Sequence, residues 1–445
     1  MLIIPSAQCG LNATSHSRAQ HKGKFMNDHK SQCNIIQDWL NNTVPEHRVL
    51  IFRKNERQGL KWTDPESILI STELPTIWLA ESKKIISKYQ LHFGTLICCL
   101  EKFDKKNDFY SNLKNKSSFS KFFLQPYQEP NSANSDTFPY VSFAFKTDFT
   151  LELNESELLV LQREFKVNQT DNYFSPITSE TLSDFCDTVD SLKEHIKSGD
   201  FYVINAAVQI KNALPKQMFC AESFLRAWIQ RPSRFGVFFD SSSLGIMSFS
   251  PELFVSKRKN FLLTQPIKGT RVVSDFKNIT DAAQNLWNDK KELYEQQMIV
   301  DLLRHDLLGV CNPGSVQIHD PFFIAIESTL LQMQTTLTGV LKRQLDITDI
   351  LNTMCPAGSI TGAPKQSACR FISKFESESR GAYTGISGII ESNGDFDSQV
   401  LIRSFFKHNN NITAGVGAGI TLLSNSASEG AELNSKWKSF RQGIW

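Results

Sequence analysis

The sequence lacks the features that would place it in several large classes of protein. Its 445 residues carry a net charge of only +2, so we expect neither nucleic acid nor an anionic membrane as a partner. The longest largely apolar stretch, Phe93 to Leu100, is much too short to form a membrane-spanning helix. The amino terminus has no long apolar segment, which argues against a secretory signal peptide.

Cysteines are present but show no organised pattern. There are nine, an odd number, spread from Cys9 to Cys369 without a CxxC motif or a cluster with histidine. This distribution argues against a disulfide framework and against a zinc site. We therefore expect a protein of a reducing compartment and predict a cytoplasmic location.

The composition is that of a globular protein with a large core. Hydrophobic residues make up 40 % of the chain, and 33 residues are phenylalanine. The distribution of residue types along the chain predicts three parts. Residues 1–33 are polar and are predicted to be a disordered amino-terminal segment, residues 34–175 contain strand patterns without a catalytic constellation, and residues 176–445 contain every candidate functional motif.

The carboxy-terminal part alternates runs of strands with helices. Closely spaced strands separated by turns favour an antiparallel sheet. The predicted strands are 201–208, 234–240, 244–249, 253–255, 385–391, 399–407 and 412–421. The predicted helices are 179–198, one long helix 281–303, 345–351 and 426–441.

One lysine is the first candidate for chemistry. Lys268 stands between an apolar pair and Gly269, directly after the apolar run Phe261–Leu263. This pattern is typical of a strand that delivers a partly buried amine, with a glycine that lets backbone approach closely. Taken alone, the same residues also fit a surface loop, because lysine is seldom buried without a partner.

Two pairs of glutamates form the second candidate. Glu292 and Glu295 are three residues apart on a predicted helix, and Glu429 and Glu432 repeat this spacing on the last helix, with Lys436 one turn further on. Residues three apart project from one helix face. If the two helices meet, the four carboxylates would suit a hard cation such as Mg²⁺. If they do not, both pairs are solvated helix faces.

Two glycine-rich stretches are further candidates for a binding site. Gly415–Gly419 contains three glycines near the end of a strand, and such backbone can cradle an anion while Arg403 on a neighbouring strand grips a carboxylate. A twisted, tightly packed strand explains the glycines equally well. Gly358–Lys365 does not match the phosphate-loop pattern, because its glycines are four apart and Ala-Pro precedes the lysine, so nucleotide binding is not expected.

Four motifs in order make the sequence resemble a known family. They are Pro266–Thr270, Ile299–Arg304, Gly358–Lys365 and Gly417–Gly419. Together they resemble the chorismate-utilising enzymes, and among these most closely the aminodeoxychorismate synthases, over about residues 179–438. The resemblance implies an α+β fold class, with two facing, largely antiparallel β-sheets flanked by helices in one large unit, and with residues 34–175 supplying strands to a shared core.

The resemblance also implies roles for individual residues. Lys268 would attack C2 of chorismate as an amine nucleophile, and Glu252 would protonate the departing 4-hydroxyl as general acid. An exposed Lys268 would contradict this expectation, because the amine must lose its proton to react. The implied Mg²⁺ ligands are Glu292, Glu295, Glu429 and Glu432. The implied substrate-binding residues are Thr270, Ser359, Tyr383, Arg403, Gly417, Ala418, Gly419 and Lys436.

Within the family, the residue at position 268 separates the activities. Aminodeoxychorismate synthases carry lysine there, and anthranilate synthases typically carry alanine. The resemblance therefore implies the conversion of chorismate and ammonia to 4-amino-4-deoxychorismate, a step in 4-aminobenzoate and folate synthesis. Val203 stands where isochorismate-forming relatives use a lysine, which disfavours that activity. Gln332 replaces a usual histidine, which puts an acid–base role at that position in doubt.

The source of ammonia is expected to be a second subunit. The chain has no Gly-x-Cys-x-Gly segment, the motif that carries a glutaminase nucleophile, so a separate glutamine amidotransferase would form a heterodimer with it. Two alternatives remain at this point. One is an anthranilate synthase large subunit, and the other is a non-catalytic, regulatory subunit that only binds chorismate.

Overall fold

A computed structural model describes most of the chain beyond residue 173 and short strands before it. The described residues are 48–54, 58–60, 68–69, 75–81, 121–125, 127, 141–144, 149–152, 174–230, 233–240, 244–272, 279–327, 330–391 and 393–444. The predicted disordered segment, residues 1–33, lies outside them. In the described part, no helix combines the length and the apolar character needed to cross a membrane.

Nine strands form the first sheet, and every recorded pairing in it is antiparallel. Across the sheet the order is β16 (Gly362–Ala363), β8 (Val203–Ile210), β20 (Asn411–Ile420), β19 (Ser404–His408), β10 (Leu244–Ser248), β9 (Phe235–Asp240), β1 (Arg48–Lys54), β4 (Pro75–Glu81) and β7 (Phe149–Glu152). The strands β1, β4 and β7, from before residue 175, thus pair into the same sheet as strands from the rest of the chain.

Eleven strands form the second sheet, which is also antiparallel throughout its described pairings. The order is β3 (Ile68–Leu69), β2 (Gln58–Leu60), β14 (Gln317–Glu327), β15 (Leu330–Val340), β12 (Phe261–Gln265), β11 (Leu253–Arg258), β18 (Phe396–Val400), β17 (Ile386–Ile390), β5 (Lys121–Gln125) and β6 (Val141–Ala144). A further strand, β13 (Ile267–Val272), pairs with β15 next to β12.

Seven α-helices accompany the sheets in the described part of the chain. They are α1 (Ser179–Lys197), α2 (Ala221–Gln230), α3 (Ile279–Trp287), α4 (Lys290–Val310), α5 (Ile347–Met354), α6 (Lys365–Phe375) and α7 (Ser426–Ile444). Helix α1 illustrates how sequence sets the packing. The Thr178 side chain caps its first turn, and Phe185, Val189 and Leu192 recur on one face, which is buried.

The two sheets share one hydrophobic core that is rich in phenylalanine. Phe238 and Phe405 from the first sheet and Phe396 from the second are all less than 2 % exposed and belong to the same cluster. Trp437 of α7 is also fully buried there and stacks edge-on against Phe405. The predicted α+β fold class with two antiparallel sheets is therefore confirmed.

Two elements predicted from the sequence are wrong. The single helix expected over residues 281–303 is two helices, because the side chain of Asp289 accepts hydrogen bonds from the backbone N–H groups of Lys291 and Glu292 and starts α4 afresh. The single strand expected over 399–407 is also broken. Its first residues end β18 in the second sheet, and after a turn at Arg403 (φ +51°) the chain enters β19 in the first sheet.

A buried ion pair fixes the position of several backbone segments near this crossover. The guanidinium of Arg380 donates two hydrogen bonds to the carboxylate of Glu376, at 2.6 and 2.8 Å. It also donates to the carbonyl oxygens of Ile360 (2.7 Å) and Asn205 (2.8 Å), and it lies over the ring of Tyr127. The Arg380 side chain is completely buried, so these partners replace the water it has lost.

We predict that Arg380→Met lowers the free energy of unfolding by about 3–5 kcal/mol, because it leaves the Glu376 carboxylate buried without its cation. Urea denaturation followed by circular dichroism measures the change. The control is Lys211→Met, since Lys211 pairs with Glu378 on the surface, where both side chains are exposed (69 % and 42 %). Lys211→Met should leave the urea midpoint of unfolding unchanged within error. An equal loss of stability in both variants would contradict the assignment of Arg380–Glu376 as a stabilising buried ion pair.

Candidate active site

Lys268 lies on a strand and is half-buried. It is the second residue of β13, opposite Met333 of β15, and its Nζ donates a hydrogen bond to the carbonyl oxygen of Ser359 at 3.0 Å. Ser359 belongs to a short 3₁₀ turn, Gly358–Ile360, and is itself buried. The interpretation of Lys268 as a surface loop residue is therefore wrong.

Gly269 brings this strand close to one of the glutamates. The register of β13 shifts between Lys268 and Thr270, and Gly269 has a φ of +66°, a conformation that side-chain-bearing residues rarely adopt. A Cβ atom at this position would lie 2.9 Å from Leu286 Cδ1 and 3.3 Å from Glu292 Oε2. Glycine thus permits the backbone beside Lys268 to approach the Glu292 carboxylate.

The two glutamate pairs are mostly buried. Glu292 and Glu295 on α4 are 8 % and 4 % exposed, and Glu429 on α7 is 2 % exposed. Only the Glu432 side chain, at 39 %, has substantial access to water. The interpretation of these pairs as solvated helix faces is wrong for three of the four residues, and the burial of so many carboxylates requires compensating charge.

Lys291, which the sequence reasoning missed, supplies part of that charge. Its Nζ lies 2.7 Å from Glu429 Oε1, 3.6 Å from Glu295 Oε1 and 3.6 Å from Glu432 Oε2. Burial alone would lower the pKa of Lys291, but the surrounding carboxylates raise it well above its usual range. The i,i+4 spacing of Lys291 and Glu295 was the available sequence signal, although it could not show the contacts to α7.

The carboxylates differ in how readily they lose a proton. Burial raises the pKa of Glu295 from an ordinary 4.5 to about 7, against the opposing effect of Lys268. Burial, together with the charge of Glu432, also raises the pKa of Glu292. Burial would raise the pKa of Glu432 too, but Lys436, whose Nζ is 2.7 Å away, holds it below the usual value.

The oxygen atoms of this cluster have the chemistry of a hard-cation site. Glu295 Oε1 and Glu429 Oε2 are buried and have no hydrogen-bond partner in the described part of the chain. Carboxylate oxygens are the ligands that Mg²⁺ prefers. As the side chains stand, however, no three histidine, cysteine, aspartate or glutamate groups among the described residues are arranged to hold a metal ion. Lys291 is the cation they bind in this conformation.

The glycine-rich strand borders the same cluster. Gly417, Ala418 and Gly419 lie within β20 and pair with Ala207, Ala206 and Asn205 of β8. A Cβ atom at Gly419 would lie 2.6 Å from Glu295 Oε2, so any side chain there would displace this carboxylate from its present position. The carbonyl oxygen of Gly417 accepts a hydrogen bond from Lys436 Nζ at 3.4 Å.

These contacts join most of the predicted site residues. They connect Lys268 with Ser359, Gly269 with Glu292, Glu295 with Gly419, and Lys436 with both Glu432 and Gly417. Lys291 then links α4 to Glu429 and Glu432 on α7. The two helices that carry the glutamate pairs therefore meet, which the sequence left open.

Of the remaining predicted residues, Thr270 lies on β13, while Tyr383 and Arg403 lie in turns. Tyr383 is buried and packs against the backbone of Gly415, two residues before Gly417, and burial raises the pKa of its phenol. Thr270 is opposite Gln332, whose buried Oε1 atom has no hydrogen-bond partner in the described part of the chain. Arg403 occupies the turn between the sheets.

Glu252 is buried at the start of β11. Its backbone N–H donates to Ser250 Oγ, and its carbonyl oxygen accepts from the N–H of Val400. The next residue, Leu253, pairs with Gln265, which precedes the turn that leads into β13. The chain therefore holds Glu252 near the start of the strand that carries Lys268.

Comparisons with known proteins agree with one another on the family. The sequence profile of the chorismate binding enzymes matches residues 99–442. A Bacillus subtilis relative named aminodeoxychorismate synthase component 1 is 32 % identical over 266 residues, which is 59 % of this chain and 55 % of that protein. A Neisseria gonorrhoeae relative named anthranilate synthase component 1 is 30 % identical over 253 residues, 56 % of this chain and 50 % of that protein. The matches span about half the length of these two relatives.

Solved structures show the same fold. Anthranilate synthase component I from Streptococcus pneumoniae superposes with a TM-score of 0.61 and 19 % identity, covering 98 % of this chain and 100 % of that one. A Bacillus anthracis protein described as a putative 2,3-dihydroxybenzoate-specific isochorismate synthase gives a TM-score of 0.62 and 17 % identity, covering 92 % and 100 %.

The raised pKa of Glu295 predicts a pH-dependent stability for the metal-free protein. Well below pH 4.5 this carboxyl is protonated in both the folded and the unfolded chain, so its burial does not reduce the free energy of unfolding. As the pH rises towards 7 the unfolded chain loses the proton first, so the folded state becomes relatively less stable. Glu295→Gln should therefore stabilise the chelator-treated protein at pH 8, by up to about 3 kcal/mol, and have little effect near pH 4.

Urea denaturation at both pH values, in the presence of chelator, checks this. Glu432→Gln is the matched control, because the pKa of Glu432 is lowered in the folded state and its ionised form stabilises the fold above pH 4.5. This control should destabilise the protein at pH 8. A Glu295→Gln variant that is less stable than the native protein at pH 8 would contradict the assignment of Glu295 as a buried carboxylate with a raised pKa.

Proposed function

The chain belongs to the chorismate binding enzyme family, and from this premise we propose that it is an aminodeoxychorismate synthase component I. It would convert chorismate and ammonia to 4-amino-4-deoxychorismate, the precursor of 4-aminobenzoate in folate synthesis. Relatives named aminodeoxychorismate synthase and anthranilate synthase are similar to this chain to nearly the same extent, at 32 % and 30 % identity. Sequence identity therefore does not distinguish between the two reactions. The observation that carries the choice is Lys268, half-buried and oriented by Ser359 beside the carboxylate cluster.

Lys268 is the proposed nucleophile. Its amine forms a bond to C2 of chorismate, the ring double bonds shift, and the C–O bond at C4 breaks as the hydroxyl leaves. Ammonia then forms a bond at C4, the double bonds shift back, and the C2–N bond to Lys268 breaks. The carbonyl oxygen of Ser359 accepts a hydrogen bond from the ammonium or from the neutral amine, so this contact orients the nitrogen in either state.

Glu252 is the proposed general acid. A hydroxyl is a poor leaving group, so a proton must reach the oxygen at C4 as the C–O bond breaks. The burial of Glu252 (5 % exposed) and the register that places Leu253 opposite Gln265 support this role. The same carboxylate can take a proton from the incoming ammonia when the lysine is expelled, so that the protons balance over both steps.

The charge balance of the cluster supports a divalent cation in the working enzyme. With every group ionised, the carboxylates of Glu292, Glu295, Glu429 and Glu432 outnumber the ammonium groups of Lys268, Lys291 and Lys436 by one. Arg271, which lies 2.6 Å from Asp289 and 3.8 Å from Glu292, adds one positive charge and Asp289 one negative charge, so the excess is unchanged. An anionic substrate would be repelled by this excess. Bound Mg²⁺ would neutralise the glutamates and stabilise charge on the ring carboxylate of chorismate.

The groups proposed to hold the substrate surround this cluster. Lys436 provides a positive charge next to the backbone of Gly417, and Arg403 provides a guanidinium suited to a carboxylate. The remaining proposed contacts are Thr270, Ser359, Tyr383, Gly417, Ala418 and Gly419. Of these, Thr270 lies on β13, Ser359 in the 3₁₀ turn and Gly417–Gly419 on β20, and Tyr383 packs against Gly415 of β20, which supports a single substrate position next to Lys268.

Ammonia is proposed to come from a glutamine amidotransferase subunit in a cytoplasmic heterodimer, because the sequence has no glutaminase nucleophile motif. The second candidate activity is that of anthranilate synthase, which the similarity to relatives of that name favours. Isochorismate formation is disfavoured, since Val203 is a buried apolar residue that cannot take a proton from water. A purely regulatory subunit would have no use for a partly buried lysine at position 268.

The direct test is the product formed from chorismate, ammonium chloride and Mg²⁺. We predict 4-amino-4-deoxychorismate as the main product, identified by liquid chromatography and mass spectrometry. Anthranilate as the main product would instead assign the second candidate activity. No turnover at saturating ammonium and Mg²⁺ would support the regulatory subunit.

We predict that Lys268→Met lowers kcat by about 1,000-fold or more, because it removes the attacking atom while leaving substrate binding largely in place. Steady-state kinetics with ammonium chloride measures the loss. Lys257→Met is the control, since Lys257 is a similarly half-buried strand lysine that pairs with Asp395 in a hairpin away from the cluster. A Lys268→Met enzyme that still forms aminodeoxychorismate at a rate within tenfold of the native enzyme would rule out the covalent route.

A further inference from the structure

Lys291 occupies the centre of the carboxylate cluster. Its ammonium contacts Glu295 on its own helix and both Glu429 and Glu432 on α7, at 2.7 to 3.6 Å. The same carboxylates are the ligands proposed for the divalent cation. An ammonium nitrogen at these distances and a metal ion at the ~2.1 Å coordination distance of Mg²⁺ would need the same oxygen atoms and the same space.

We propose that Lys291 is a resident cation that holds the site together without metal and is displaced when a divalent cation binds. This inference rests on the proposed cation site and adds to it a moving residue that belongs to the chain itself. Without any cation, Glu292, Glu295 and Glu429 would repel one another in a buried setting, and α4 and α7 would lose their polar connection. Lys291 supplies that connection.

The Lys291 side chain can move from the carboxylate cluster into solvent. Its side chain is 23 % exposed, so the ammonium can reach water by rotation of its own four-carbon chain, without movement of α4. The oxygens Glu295 Oε1 and Glu429 Oε2 have no hydrogen-bond partner in the described part of the chain, so the lysine leaves their bonding capacity only partly used. A divalent cation would use this capacity more fully, which favours the exchange.

Lysine labelling tests the displacement directly. The protein is reductively methylated with and without saturating Mg²⁺, and the modification of each lysine is quantified by mass spectrometry. We expect Mg²⁺ to increase the labelling of Lys291 several-fold, because the freed ammonium reaches solvent. The neighbouring Lys290 is exposed and serves as the internal control, whose labelling should not change. Unchanged or reduced labelling of Lys291 at saturating Mg²⁺ would overturn the proposal.

A metal titration of variants separates this inference from the proposed function. Mn²⁺ binding is followed by electron paramagnetic resonance for the native protein, Lys291→Met and the control Lys290→Met. We expect Lys291→Met to bind Mn²⁺ about tenfold more tightly, the factor expected if the lysine leaves the site open for a tenth of the time. The Lys290→Met control should bind like the native protein.

The same variants are compared in thermal unfolding with chelator and with Mg²⁺. Lys291→Met should have a lower melting temperature than the native protein in chelator and should regain most of the loss with Mg²⁺. Equal Mn²⁺ affinity in the native protein and Lys291→Met would overturn the displacement while leaving the cation site and the proposed reaction intact. Failure of both proteins to bind Mn²⁺ would overturn the cation site itself, and with it this inference.

Discussion

The burial of carboxylates between α4 and α7 is the constraint on which the rest of the site depends. Three glutamates are removed from water, and each needs a cation or a proton in exchange. Asp289 begins α4 so that Glu292 and Glu295 project towards α7. Glycines at positions 269 and 419 leave room for those two carboxylates beside the β-strands. The backbone at the two glycines, the start of α4 and the charges of the neighbouring side chains therefore all help to form the same carboxylate cluster.

The two sheets explain why residues so distant in sequence meet there. Strand β13 brings Lys268 from the second sheet, and β20 brings Gly417–Gly419 from the first. The crossover at Arg403 lets one short segment serve both sheets. Because the cluster lies where strands of both sheets and two helices come together, the positive charges of Lys268 and Lys436 can compensate the same glutamates that would bind a metal.

The sequence predicted the parts of this arrangement that depend on local pattern. The strand at Lys268, helix α1 and the antiparallel pairing follow from apolar periodicity and turns. The break before Lys290 was missed because the apolar pattern runs through it, although Asp289 is a capping residue. The break at 401–403 was missed because the apolar residues Val400–Ile402 continue almost without interruption into Phe405 and Phe406. The central position of Lys291 could not be predicted, since two of its three partners lie on a helix about 140 residues away.

The most direct test of the central claim is anomalous diffraction from crystals grown with Mn²⁺. If α4 and α7 form a cation site beside Lys268, a strong anomalous peak should lie between the helices, about 2.2 Å from carboxylate oxygens of Glu295 and at least one glutamate of α7. The Lys291 ammonium should have left its contact with Glu429. The absence of such a peak at saturating Mn²⁺, with Lys291 still bridging the two helices, would contradict the account.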